Sequence, residues 1–150
     1  MMTFFQFEAD FVESLRCIPM QIRYKLDTCG VKLKLTHWHH LSQGDRQTLL
    51  ELPCESPAES DHYRQALQQM ITQSTGQPAG ELPCDPAPPW LDAQSIPDSV
   101  QAKAEECQVA IALPQWADLT PLQRFALIKL SRSGHENRNF VPALQEFGVL

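Results

Sequence analysis

No stretch of this chain approaches the roughly 20 consecutive apolar residues that a membrane-crossing helix needs, so no span is expected. The opening MMTFFQFEADFVESLR lacks a basic start running into an apolar segment, and a secretory leader is not expected either. Cys17, Cys29, Cys54, Cys84 and Cys107 include no CxxC pair, and five is an odd number. A disulfide framework is therefore not expected; free thiols in a reducing cytoplasm are. P-loop, GxGxxG, GxSxG and HExxH patterns are all missing, which removes the familiar signatures of nucleotide-binding, serine-hydrolase and zinc-protease chemistry. Positive charge is scarce as well. Twelve Lys and Arg face 18 Asp and Glu, for a net charge of −6, which speaks against nonspecific nucleic-acid binding.

What is present suits one globular domain spanning residues 1–150. Hydrophobic residues make up 43% and charged residues 20% of the 150 positions, enough to build a core without covalent staples. The charge is polarised. Arg16 to Arg46 holds six basic and two acidic residues, whereas Gln47 to Ala102 holds eight acidic residues and only Arg64. Leu119 to Leu150 is basic again, four to two. Such polarity suits docking to a charged partner or is ordinary surface composition.

The chain also repeats itself. Residues 18–52, IPMQIRYKLDTCGVKLKLTHWHHLSQGDRQTLLEL, align without a gap to residues 96–130, IPDSVQAKAEECQVAIALPQWADLTPLQRFALIKL. The offset is 78, and 11 of 35 positions are identical, among them Pro19/Pro97, Lys25/Lys103, Cys29/Cys107, Trp38/Trp116, Leu41/Leu119 and Arg46/Arg124. Each copy predicts a helix opening at proline and ending near cysteine. Gly30 is a ready C-cap in the first copy; Gln108 is a weaker one in the second. A period-two alternation follows, Val31 to Leu35 and Val109 to Leu113, read as a strand. A tight turn carries the tryptophan. Ser42 or Thr120 then opens a second helix, which Pro53 stops in the first copy. The fold class expected is α+β and mostly helical: two helix–strand–helix units about a pseudo-twofold axis, their strands forming a small two-stranded antiparallel sheet.

Between the copies, Ala58 to Thr75 predicts a helix with Tyr63, Leu67, Met70 and Ile71 on one face, closed by Gly76. Residues 77–95, with five prolines and an exposed-looking Trp90, read as a linker. Phe4, Phe5, Phe7 and Phe11 suggest a core-covering arm, and Phe140 to Phe147 a final short helix.

Three histidines crowd THWHHLSQ. The second copy has PQWADLTP in the same frame, so His37, His39 and His40 are not required by the scaffold while Trp38 and Trp116 are. Histidines adjacent on one turn diverge, and a metal site is not expected there. Cys29 and Cys107 recur and suit core packing, with a redox pair as the alternative. Arg46 and Arg124 recur as braces against Asp27, Glu105 or carbonyls. The segment SRSGHENRNF has no counterpart in the first copy. Its Arg132, His135, Glu136, Asn137, Arg138 and Asn139 are the candidate partner- or ligand-binding surface, because arginine grips carboxylates and phosphates well. No nucleophile motif accompanies His135 and Glu136, and no catalytic residue or cofactor is assigned.

The strings FFQFEADFVESLRCIPMQIRYKLDTCGVKLKL and LTPLQRFALIKLSRSGHENRNFVPALQEFG resemble the nitrate reductase-associated protein family, cyanobacterial in type. The resemblance is looser from about Glu55 to Ser95. It implies a non-catalytic cytoplasmic accessory protein that supports assimilatory nitrate reductase, a molybdenum and iron–sulfur enzyme, by protein docking. The alternative it leaves open is a carrier of the molybdenum cofactor, whose phosphate would seat at the basic loop.

Overall fold

A computed structural model describes residues 5–8, 18–132 and 139–150. The described residues are mostly helical. In chain order they form α1 (Met20–Cys29), β1 (Val31–Lys32), α2 (Leu35–His40), α3 (Gln43–Glu51), α4 (Pro57–Thr75), β2 (Gly80–Glu81), α5 (Asp98–Glu106), α6 (Leu113–Ala117), α7 (Pro121–Arg132) and α8 (Phe140–Glu146). Short 3-10 turns occupy Gln6–Glu8 and Pro89–Leu91. None of these helices is long and apolar enough to cross a membrane.

Helix starts fall at a fixed offset. Met20 and Asp98, Leu35 and Leu113, and Gln43 and Pro121 open three pairs of helices, each pair 78 residues apart. The capping chemistry recurs with them. Ser42 Oγ accepts from Asp45 N–H at 3.0 Å, and Thr120 Oγ1 accepts from Gln123 N–H at 3.1 Å. Gly30 takes the left-handed conformation at φ 80°, and Gln108 takes it too, at φ 60°. A side chain in that region is disfavoured by about 1 kcal/mol, so the second copy bears a strain that glycine spares the first.

Two expectations need correcting. The strands of the two alternating segments do not pair with one another. Val31 and Lys32 pair antiparallel with Glu81 and Gly80, inside the segment read as a linker. The alternation at Val109 to Ala112 finds no partner and stays irregular. A strand needs a neighbour's hydrogen bonds, and period-two patterning supplies none. The tryptophan segments are short helices, α2 and α6, rather than tight turns.

The chain divides into two compact units. Of the described residues, the first comprises 8 and 18–85, the second 5–7, 86–132 and 139–150. In the first, α1, α3 and α4 enclose Ile22, Leu26, Val31, Trp38, Leu49, Leu50, Tyr63, Leu67 and Ile71. α4 is the best-specified element. Ser56 and Glu59 form a reciprocal capping box, Pro57 occupies the first turn, and Gly76 ends the helix at φ 88°. Gln68 on α4 then grips Ala79 twice, through N–H to Oε1 at 2.7 Å and Nε2 to carbonyl at 3.0 Å. That grip holds β2 alongside β1. Gly30 is fixed by this approach, since a Cβ there would lie 2.7 Å from Cys84 Sγ and 2.8 Å from the Leu82 oxygen.

The second unit centres on α7, whose Phe125, Ala126, Leu127, Ile128 and Leu130 are buried with Val100, Ala104, Trp116, Phe140 and Leu144. Trp90 is not exposed as its proline-rich setting suggested. It is half-buried and meets Phe125 edge-on, ring centroids 5.1 Å apart. Phe5 and Phe7 stack on each other and edge against Phe147. Phe4 and Phe11 of the expected aromatic arm lie outside the described residues.

Buried Lys25 shows how helix ends are satisfied. Pro53 follows α3, so the carbonyls of its last turn have no helical donors. Lys25 Nζ donates to the carbonyls of Leu52, Leu50 and Leu49 at 2.6, 2.8 and 3.4 Å. Lys103, also buried, instead meets Glu106 Oε1 at 3.2 Å, because α7 continues where α3 stopped. Lys25→Met should therefore lower stability by about 1–3 kcal/mol, the cost of stranding buried acceptors. Lys103→Met should cost less than half as much. Urea unfolding of both variants checks the ordering.

Candidate functional site

The anticipated polar loop is described only at its edges. Arg132 ends α7 exposed to solvent, and Asn139 sits half-buried just before α8. His135, Glu136, Asn137 and Arg138 lie outside the described residues.

The recurrent arginines act on carbonyls within their own copies. Arg46 Nε donates to Trp38 O at 3.0 Å and one terminal nitrogen to His39 O at 3.1 Å. Arg124 does the same with Trp116 O at 3.1 Å and Ala117 O at 3.0 Å, and spends its third nitrogen on Trp90 O at 3.1 Å. These are clamps on the ends of α2 and α6, and each guanidinium fork fits two successive carbonyls. Both tryptophans are fully buried, and Trp116 Nε1 donates to Asp92 O at 2.9 Å.

The histidine cluster resolves in part into the same capping logic. His37 Nδ1 accepts the Lys34 N–H at 3.1 Å, as Gln115 Oε1 accepts the Ala112 N–H at 2.8 Å in the second copy. That bond fixes the neutral tautomer with its proton on Nε2. His40 Nδ1 lies 2.7 Å from Thr36 O. Among the described residues, no three or more His, Cys, Asp or Glu side chains gather to hold a metal ion.

His37 also faces an open groove of about 750 Å³ between β1 and the end of α4. Lys32, Lys34 and His37 form one wall; Thr75 to Pro78 and Gly80 form the other. Among the described residues, no acidic side chain lines it. Lys32 and Lys34 are exposed, and neither has an ion-pair partner among the described residues. They are two residues apart in extended chain, which sets them about 6–7 Å apart on one face. The wall opposite is backbone-rich and polar. The groove thus offers two unneutralised ammonium groups and a fixed imidazole donor, a combination that attracts carboxylates or phosphates. The sequence hid it, because Lys32 and Lys34 read as the solvent face of a strand. Only the arrival of residues 77–80 makes a groove of them.

Cys29 and Cys54 are both buried in the core of the first unit, and Cys107 is half-buried at the end of α5. Tyr63, whose hydroxyl donates to Leu49 O at 3.0 Å, and Lys25 Nζ, 5.5 Å from the Tyr63 ring centre, complete this buried cluster.

The model of one family, described as conserved nitrate reductase-associated protein, matches residues 4–147. No curated protein and no solved structure matches the chain significantly.

The capping role of His37 makes a pH-dependent prediction. Burial first, then the charge of Lys34 and the neighbouring His40, hold its pKa below the ordinary 6.5. Its folded pKa is depressed, so its stabilising contribution is complete above pH 6.5 and is lost as pH falls through the lower folded value. His37→Gln should fold with similar stability at pH 7 and lose this acid sensitivity, as Gln115 makes the same bond. His37→Ala should be less stable by about 1 kcal/mol. Thermal melts between pH 4 and 8 distinguish the three proteins.

Proposed function

This chain belongs to the conserved nitrate reductase-associated protein family, and from that premise we propose a non-catalytic accessory protein. It supports assimilatory nitrate reductase in the cytoplasm by docking to the enzyme or to an intermediate of its maturation. The observation that carries the reading beyond the family's name is the basic groove. In a chain of net charge −6, Lys32 and Lys34 stand beside a donor imidazole with no ion-pair partner and no acidic lining among the described residues. Opposite charge across an interface speeds encounter and sets orientation. Arg132 is a separate exposed cation at the end of α7. The segment that continues through His135, Glu136, Asn137, Arg138 and Asn139 is the second proposed contact.

A second reading rests on the same groove. Two ammonium groups and an imidazole also suit the phosphate of a molybdopterin, and the protein would then be a cofactor carrier rather than a docking factor.

Affinity isolation separates the readings. Tagged wild-type protein should retain nitrate reductase from nitrate-grown cells. Lys32→Glu with Lys34→Glu, or Arg132→Glu with Arg138→Glu, should reduce retention at least tenfold while circular dichroism and melting temperature stay unchanged. Full retention by both double variants would remove these surfaces from the reading. Pterin fluorescence in the purified wild-type protein, lost in the Lys32/Lys34 variant, would favour the carrier instead.

A further inference from the structure

The two walls of the groove beside β1 differ in polarity, and the difference bears on what kind of segment it receives. Lys32 belongs to β1, Lys34 stands extended at φ −84° and ψ 155° just before α2, and His37 lies in α2. All three offer donors: two ammonium groups and the imidazole Nε2–H, since Nδ1 holds the Lys34 N–H at 3.1 Å. The facing wall, Thr75 to Pro78, is the end of α4. Carbonyls there lack helical donors. Pro78 has no N–H to give Ser74 O, and the Ala79 N–H that would serve Thr75 O goes to Gln68 Oε1 at 2.7 Å. A helix of 19 residues also brings the negative end of its dipole to this wall.

A bare phosphate suits the first wall and is disfavoured by the second. A peptide can suit both. In extended chain, side chains i and i+2 lie on one face about 6–7 Å apart, and i+1 points the other way. That is the spacing of Lys32 and Lys34. Carboxylates at i and i+2 can meet the two ammonium groups, while a donor side chain at i+1 turns to the carbonyl wall. The groove, at about 750 Å³, has room for several linked residues. Gly80 pairs with Lys32 in the ladder and puts no side chain beside it; Glu81 pairs with Val31 and so belongs to the other face. The far wall is set in advance. Thr75 Oγ1–H is shared between Ile71 O at 2.8 Å and Gln77 O at 2.9 Å, so binding need not order this turn.

We infer that the groove receives an extended segment of a protein partner in which two carboxylates at alternate positions flank a donor side chain. The inference rests on the docking reading of the same groove and names the segment that docks.

The test titrates the capped peptide Ser-Glu-Lys-Glu-Ser into the isotope-labelled full-length chain and follows backbone amide shifts. Saturable shifts confined to residues 31–37 and 75–80 are expected. Ser-Glu-Glu-Lys-Ser carries the same charge with its carboxylates on opposite faces, and it should bind roughly fivefold or more weakly, as should Ser-Gln-Lys-Gln-Ser. Gly80→Glu should weaken the first peptide as much, by placing an acid opposite Lys32. A Cβ at Gly80 meets only Lys32 Cβ, at 3.8 Å, and its φ is not positive, so the backbone tolerates the change. If circular dichroism shows that this variant misfolds, Lys34→Gln gives the same readout. Equal binding of the two glutamate peptides would overturn the inference, because charge alone would then suffice. So would the absence of shifts in the groove, or the same shifts from inorganic phosphate at equal or lower concentration. The docking reading is judged separately. If Lys32→Glu with Lys34→Glu loses nitrate reductase but the wild-type chain ignores the peptide, the segment is wrong and docking stands. If the peptide binds with the expected register and no reductase is retained, docking to that enzyme falls and the segment stands.

Discussion

Short helices leave much of their backbone without helical partners, and the satisfaction of those ends is the constraint on which this structure rests. A helix of five to ten residues has orphan carbonyls along most of its last turn. In this chain cationic side chains supply the missing donors. Lys25 serves the end of α3, Arg46 the end of α2, and Arg124 the end of α6. At the other pole, buried Glu8 accepts the Met20 N–H at 3.1 Å, where Pro19 offers no capping side chain. A burial pattern that would look anomalous residue by residue, with two lysines, an arginine and a glutamate inside, becomes ordinary once Lys25, Arg124 and Glu8 are matched to the backbone groups they serve and Lys103 to the Glu106 carboxylate.

This constraint also explains which parts of the architecture were legible in the sequence. Helices with their own punctuation were readable. Ser56, Pro57, Glu59 and Gly76 define α4 locally, and Thr120 with Gln123 defines the start of α7. Elements that depend on a distant partner were not. Val31 to Leu35 and Val109 to Leu113 carry similar alternation, yet only the first begins with a strand. The difference lies in residues 79–82, which Gln68 holds in place from another element. Trp90 looked exposed for the same reason: its burial comes from Phe125.

The candidate site was legible to a smaller degree. The comparison of THWHHLSQ with PQWADLTP sets Trp38 apart from the imidazoles, yet His37 and Gln115 do one job with different atoms. The basic groove needs Lys32 from β1, Lys34 from the start of α2 and a wall from the end of α4, and no local pattern announces that meeting. The net charge was informative in another way, since an acidic chain places two exposed lysines on one groove that no described acidic residue lines.

Pro53 has a consequence that reaches past the helix it ends. Lys25 and Lys103 are the same letter at matched positions and are buried to nearly the same extent. One crowns a truncated helix; the other, facing a helix that runs on, turns outward to a carboxylate. Scoring the two halves by identity counts these lysines as agreement, while their bonding records a divergence written by an imino acid 28 places downstream of the first. Similarity of letters and similarity of duty are separate quantities here, and identity between the two segments overstates how alike their bonding is.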